Sequence, residues 1–210
     1  MSEKIMIAGR TGCGKDTSAY CFIKNYGKEQ LISYATRDKR FPGEATHIFI
    51  SNEEANKMTN RVAETIIDGN QYFATKEQLD ACDIYVIDPK GLSDVCSRAP
   101  ETDLCVLYVK ASKNTRRQRA IDRAADKELA AKIFESRHAD EDQMFSEFES
   151  LIEADNLDAF HEKYPTVKKV IILNNESTSI GEMDKKVDEA AMYIDQLTMG
   201  DAFGPYRHVI

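Results

Sequence analysis

Residues 5–17 read I-M-I-A-G-R-T-G-C-G-K-D-T and constrain the fold more than any other stretch of the chain. The apolar run Ile5–Ala8 fits only a short buried strand, and it feeds directly into Gly9-Arg10-Thr11-Gly12-Cys13-Gly14-Lys15 and a segment of helical period. Strand, glycine-rich loop and helix in this order make an anion cradle. Glycines let successive backbone N–H groups point into one concavity, at backbone angles that a side chain would resist. The helix aims the positive end of its dipole at the same spot, and Lys15 adds a full charge placed for outer phosphates. The pattern G-x-x-x-x-G-K-[ST] holds from Gly9 to Lys15 and breaks at its last place, where Asp16 stands for Ser or Thr. Gly9, Arg10, Thr11, Gly12, Cys13, Gly14, Lys15, Asp16 and Thr17 are therefore the candidate phosphate-binding residues. Asp16 is also the candidate magnesium ligand, since a carboxylate is a hard oxygen donor, although an Asp in a first helical turn is favoured by the dipole alone.

Composition removes several classes. A formal net charge of −8 argues against a general grip on nucleic acid, which clustered Lys and Arg would supply. No run approaches the roughly 18 apolar residues of a membrane span. Five cysteines without a C-x-x-C pair, and a start M-S-E-K without a signal peptide, read as reduced thiols in a cytoplasmic protein, monomer or homodimer. Cys13, at the mouth of a helix, is placed for a lowered pKa. His47, His138, His161 and His208 show no metal-ligand spacing.

Along the chain, Asp16–Tyr26 is expected as the first helix, with Ala19, Phe22 and Ile23 on its buried face and Gly27 as its stop. Leu31–Ser33 is expected as a second strand. The basic, turn-rich stretch Y-A-T-R-D-K-R-F-P-G-E that follows is an ordered loop, in which Arg37 and Arg40 make either a second anion site or a solvated surface. His47–Ile50 reads as a strand, and Arg61–Ile67 with Gln71–Ala74 as a hairpin about Asp68-Gly69-Asn70, so that a small antiparallel lobe is inserted here. Ser51-x-x-Glu54 and Thr75-x-x-Gln78 read as capping boxes.

Ile84–Ile87, Leu104–Val109 and Val170–Leu173 are unbroken apolar runs spaced by helical segments, the mark of a parallel sheet covered on both faces. Asp88, ending one of them, suits a ligand contact or a cap for the helix at 91–98. Thr115–Arg123 and a second helix carrying Arg137 and His138 form a pair that can act as a lid, although most charged helix faces are only solvated. Glu141–His161 is acidic and helical, with Phe145, Phe148, Leu151 and Ile152 at core spacing. Met183, Val187, Ala190, Ala191, Ile194 and Leu197 stripe a closing helix, and the tail after Thr198 has no period. The expected class is α/β, a three-layer P-loop NTPase fold with a parallel central sheet, a small inserted lobe and a helical lid. One unit spans 1–210, with core 1–33, 76–115 and 166–197, lobe 34–75, lid 116–140 and a helical insertion at 141–165.

In this order the pieces resemble guanylate kinase, a P-loop nucleoside monophosphate kinase family, from Lys4 to Leu197. The most specific motif is S-x-x-T-R-x-x-R-x-x-G-E, present as Ser33, Thr36, Arg37, Arg40, Gly43 and Glu44. The resemblance implies that the small inserted lobe is acceptor-binding, that Ser33, Arg37 and Arg40 hold the acceptor phosphate, that Glu64 and Tyr72 belong to the acceptor site, and that Thr75 and Asp88 lie by the acceptor base. It also implies Arg119, Arg123 and Arg137 as lid arginines, Asn174 near the adenine pocket, ATP and Mg²⁺ as cofactors, and small-molecule nucleotides as substrates. Three departures bear on the acceptor's identity more than on the reaction: Asp16, His47 in the place of a phosphate-binding Tyr, and N-Q-Y-F-A-T after Gly69 in place of N-Y-Y-G-S.

Phosphoryl transfer asks that donor and acceptor phosphates be held in line while their charge is neutralised. Lys15 and magnesium would act on the donor, Arg37 and Arg40 on the acceptor, and the lid arginines across the gap. The expected activity is ATP-dependent phosphorylation of GMP or dGMP, Glu64 offering a carboxylate to guanine's two adjacent donors. The alternatives are another (deoxy)nucleoside monophosphate and a catalytically inactive interaction module. A GTPase reading of Asp88-Pro89-Lys90-Gly91 lacks an N-K-x-D to read guanine.

Overall fold

The computed structural model describes residues 3–39, 41–153, 157–196 and 206–210. Strand β1 (Lys4–Ala8) is buried along its whole length, and strands β6 (Ile84–Val86) and β7 (Leu104–Lys110) pair with it on either side, both parallel. Strand β8 (Val167–Asn174) continues beyond β7, and β9 (Tyr206–Val209) beyond β8, giving a five-stranded all-parallel sheet in the order β6-β1-β7-β8-β9. Because side chains alternate across a strand, the two faces of β1 feed two separate cores. Ile5 and Ile7 pack with helices α1 (Lys15–Tyr26) and α8 (Ile180–Gln196), through Phe22, Met183 and Val187. Met6 and Ala8 face the other side, where α3 (Lys76–Ala81), α4 (Pro89–Arg98) and α6 (Lys127–Glu153) contribute Leu79, Leu92, Val95, Phe145 and Phe148. This is the three-layer arrangement expected from the apolar runs.

A second sheet, order β3-β2-β5-β4, is built from β2 (Tyr34–Ala35), β3 (Ile48–Phe49), β4 (Arg61–Ile67) and β5 (Asn70–Thr75). The hairpin forms as read: Asp68 and Gly69 both adopt positive φ, 50° and 76°, the twist that joins two right-handed strands by two residues. Both capping boxes form, Ser51 opening α2 (Asn52–Lys57) and Thr75 opening α3.

Several expectations are corrected. The second strand at Leu31–Ser33 reduces to a single bridge, Gln30 to Ile84, because the chain leaves the central sheet there to pair Tyr34 and Ala35 with β5. The inserted sheet is mixed rather than antiparallel, since β2 and β3 run parallel. Ile23 of α1 is 39% exposed, and the face that packs inward carries Ser18, Ala19, Cys21 and Phe22. A single 27-residue helix, α6, runs across residue 140 through both the lid and the insertion segments; it follows α5 (Lys113–Asp122) and precedes the short α7 (Leu157–Lys163). The tail supplies β9, whose His208 ring lies 3.6 Å from that of Tyr193 on α8. Leu197, placed in the closing stripe, lies outside the described residues.

The second half of α6 is core, not an appendage. Phe148 is 1% exposed and meets the rings of Tyr108, Phe145, Phe160 and Tyr164, with centroids 5.5 to 6.4 Å away. Phe148→Ala should therefore lower unfolding free energy by about 3–5 kcal/mol, the cost of emptying a well-packed aromatic site. Urea denaturation measures it, and a loss under about 1 kcal/mol would contradict this packing.

Candidate functional site

The glycine loop leaves β1 at Gly9 and enters α1 at Lys15. Gly9 has φ of 149°, and a Cβ there would stand 2.3 Å from the Val109 carbonyl oxygen; at Gly14, φ is 107° and a Cβ would meet Asn175 Nδ2 at 2.4 Å. Both positions combine a backbone conformation reserved for glycine with a close approach that only glycine allows.

The loop's carbonyls are held from behind. The Thr11 oxygen accepts from Arg116 Nη1 at 3.3 Å, the Gly12 oxygen from Arg119 Nη1 at 3.3 Å, and the Cys13 oxygen from Arg119 Nη1 at 3.2 Å and Asn175 Nδ2 at 2.6 Å. A peptide is planar and trans, so carbonyls turned toward these groups turn the N–H groups of Gly12 and Gly14 the opposite way. Arg119 also donates to the Asn175 and Ser177 carbonyls at 3.1 and 2.7 Å, tying the loop to the turn between β8 and α8. Lys15 Nζ rests on the Arg10 carbonyl at 3.1 Å. The arrangement can hold an anion with backbone donors, a helix N-terminus and one ammonium.

Three loop residues differ from the sequence expectation. The Arg10 guanidinium points away toward α6, where Nε and Nη2 make a two-pronged contact with Glu149 at 2.8 and 2.7 Å and Nη1 pairs with Asp142. The hydrogen bond to Glu149 raises the Arg10 pKa still further. The Thr11 N–H is taken by Glu141 Oε1 at 2.7 Å. Cys13 is fully buried beneath the loop, and burial pushes its thiol pKa up rather than down, so the helix terminus does not activate it.

Two cavities lie beside the first turn of α1. One, of about 230 Å³, is lined by Asp16, Ser33, Arg37, Thr46, His47 and Tyr85. Ser33 Oγ and His47 Nδ1 share a hydrogen bond of 3.0 Å, and His47 stands edge-on to Tyr72 with centroids 5.4 Å apart. Arg37 is gripped by buried Glu44 through two contacts of 2.7 and 3.0 Å and lies 4.9 Å from the Phe49 ring centroid. This explains why Glu44 accompanies Arg37 in the S-x-x-T-R motif. The carboxylate raises the Arg37 pKa and fixes its fork, leaving a buried Nε with no hydrogen bond among the described residues. Arg40 lies outside the described residues. The second cavity, of about 270 Å³, is lined by Gly14, Thr17, Arg119, Asn175, Ser177 and Met183 among others.

The remaining assignments scatter. Asn174 is exposed, and the next residue, buried Asn175, lines the second cavity. Arg119 is the staple just described rather than a mobile lid residue. Arg123 and Arg137 are exposed, and their side chains make no hydrogen bond or ion pair among the described residues. Thr75 is 4% exposed and caps α3; Asp88 caps α4 through Gly91 N–H at 2.7 Å while its other oxygen accepts from Thr65 at 3.1 Å. Those two oxygen sets are therefore committed to backbone and neighbour. Glu64 is ion-paired with Arg61, whose guanidinium lies 3.9 Å from the Phe73 ring centroid. Sequence reasoning missed Arg116 and Asn175, which carry no motif, and the carboxylates of α6.

No protein-family model and no curated protein matches the chain. Among solved structures it is similar to a guanylate kinase from Anaplasma phagocytophilum, at 15% identity and a TM-score of 0.54 over 95% of this chain and 87% of that one. It is also similar to an uncharacterized protein from Eubacterium ventriosum, at 13% identity and a TM-score of 0.42 over 93% of this chain and 99% of that one. The first match shows a shared fold. Among the described residues no helix is long and apolar enough to cross a membrane.

The α6 contact makes a pH prediction. Burial alone would raise the Glu149 carboxyl, but hydrogen bonds from Arg10 and Tyr108 and the charge of Arg10 outweigh it and hold the pKa below the ordinary range. A carboxyl lowered on folding stabilises above its unfolded pKa of about 4.3 and loses that contribution as pH falls through the folded value. Thermal melts of wild type and Glu149→Gln should thus differ most near pH 6 and converge as the pH falls below about 4. A gap that stays constant to pH 3 would contradict the ionic reading.

Proposed function

We propose that the chain is an ATP-dependent nucleoside monophosphate kinase, acting on GMP or dGMP, with residues 34–75 as the acceptor lobe of a single unit. The observation that carries this reading is the pair of cavities beside the first turn of α1, directly after the glycine loop, where consecutive residues Asp16 and Thr17 line one each. A donor in the Thr17 cavity and an acceptor in the Asp16 cavity would approach each other across Lys15. The shared fold with a guanylate kinase supports the reading.

In this reading Lys15 exchanges the Arg10 carbonyl for donor phosphates, and Ser33, Arg37 and His47 hold the acceptor phosphate, with Arg40 as a further candidate. An acceptor phosphate is already an anionic nucleophile at neutral pH, so positioning and charge neutralisation are what the protein supplies. Asp16 is exposed and its carboxylate makes no hydrogen bond or ion pair among the described residues, an oxygen donor that fits a magnesium ion also held by waters and phosphates. Bound there, magnesium would neutralise charge on the transferring group. Arg123 and Arg137, exposed and unpaired, remain the candidates for closure over the phosphates. Glu64, with one oxygen on Arg61, keeps the other for a guanine donor.

A coupled assay across ribo- and deoxynucleoside monophosphates with Mg-ATP tests this. The account expects diphosphate formation from GMP or dGMP, abolished in Lys15→Ala with an unchanged ligand-free melting temperature. Glu64→Gln should lower kcat/KM for the guanine acceptor by about 100-fold or more while leaving the KM for ATP nearly unchanged. Preference for a pyrimidine monophosphate would overturn the base assignment, and no transfer to any monophosphate would overturn the kinase reading.

A further inference from the structure

The peptide unit between Arg10 and Thr11 is held at both ends. Its carbonyl accepts from Lys15 Nζ at 3.1 Å and from the Cys13 N–H at 3.2 Å, while its N–H donates to Glu141 Oε1 at 2.7 Å. Glu141 comes from the middle of α6, 130 residues away in sequence. Its other oxygen faces Arg116 Nη1 at 3.6 Å, and Arg116 is 3% exposed. Glu149, two helical turns further along the same face, and Asp142 fasten α6 to Arg10, so Glu141 reaches Thr11 from a fixed support.

A planar peptide cannot turn its carbonyl without turning its N–H. An acceptor within reach of the N–H therefore also fixes the carbonyl, and bonds in series reinforce each other. Glu141, the Thr11 N–H, the Arg10 carbonyl and Lys15 form such a series. We propose that Glu141 is a positioning residue for Lys15: it fixes the peptide whose carbonyl is the resting partner of the ammonium. Lys15 then starts from one place next to the cradle, and less of its freedom has to be lost when phosphates bind. This inference rests on the phosphate-binding reading of the loop.

Calorimetric titration of Mg-ATP into Glu141→Asp and Glu141→Gln, each alone and combined with Lys15→Ala, separates reach from charge. Aspartate keeps the charge beside Arg116 but withdraws the oxygen from Thr11; glutamine keeps an acceptor oxygen in reach and loses the charge. The expected result is about tenfold weaker binding for Glu141→Asp and a change within about twofold for Glu141→Gln. The aspartate effect should shrink below about twofold when Lys15 is alanine, because coupled groups do not add. Wild-type affinity in Glu141→Asp, equal losses in both single variants, or an aspartate effect undiminished without Lys15 would each overturn the inference alone. A merely structural role would lower the ligand-free melting temperature of both variants without moving affinity, and that also overturns it. Wild type that binds no Mg-ATP removes the underlying reading and this inference with it.

Discussion

The contact on which the site depends is the backing of three consecutive loop carbonyls, Thr11, Gly12 and Cys13, by Arg116, Arg119 and Asn175. Carbonyls turned into the protein need partners, and a guanidinium supplies several donors in one rigid fork. Remove that backing and nothing compels the Gly12 and Gly14 amides to face the same way. The fold makes the contact possible because β7 lies between β1 and β8, so that α5 and the turn after β8 converge behind the loop. Arg116 brings a further benefit: a cation 3% exposed sits behind the glycine loop. Its charge is felt more strongly there than it would be in water.

The α6 side of the loop follows a different logic. Arg10 carries a positive charge in the glycine loop, and Glu149 and Asp142 absorb it and use it as an anchor for a helix. The helix in turn is fixed by Phe145, Phe148 and Ile152 in the core. Packing of apolar side chains thus sets the position of carboxylates, and those carboxylates set the position of the loop. A segment that composition alone marks as an acidic insertion becomes part of the site's support.

Much of this architecture was legible because it rests on local rules. The apolar runs at 5–8, 84–87, 104–109 and 170–173 could only be strands buried on both faces, and the capping boxes and the Asp68-Gly69 turn form as their residues dictate. The illegible parts depend on partners distant in sequence. Nothing local distinguishes Arg119, a staple with its partners 56 to 107 residues away, from Arg123, an exposed residue one turn further on; nothing near Glu141 names Thr11. Position along a family pattern likewise placed Asn174 one residue from the buried Asn175, whereas the local capping patterns at Thr75 and Asp88 did name the caps that form there. The C-terminal strand was missed because four residues pairing along one sheet edge need no period of their own.

The central claim is that the backed loop presents its amides to phosphate. Two-dimensional ¹H–¹⁵N spectra of the protein titrated with Mg-ATP test it directly. The account predicts downfield shifts of the Gly12 and Gly14 amide protons as they bond phosphate oxygens, larger than any at Thr11, whose amide is already held by Glu141. Unmoved glycine amides at saturating Mg-ATP would contradict it.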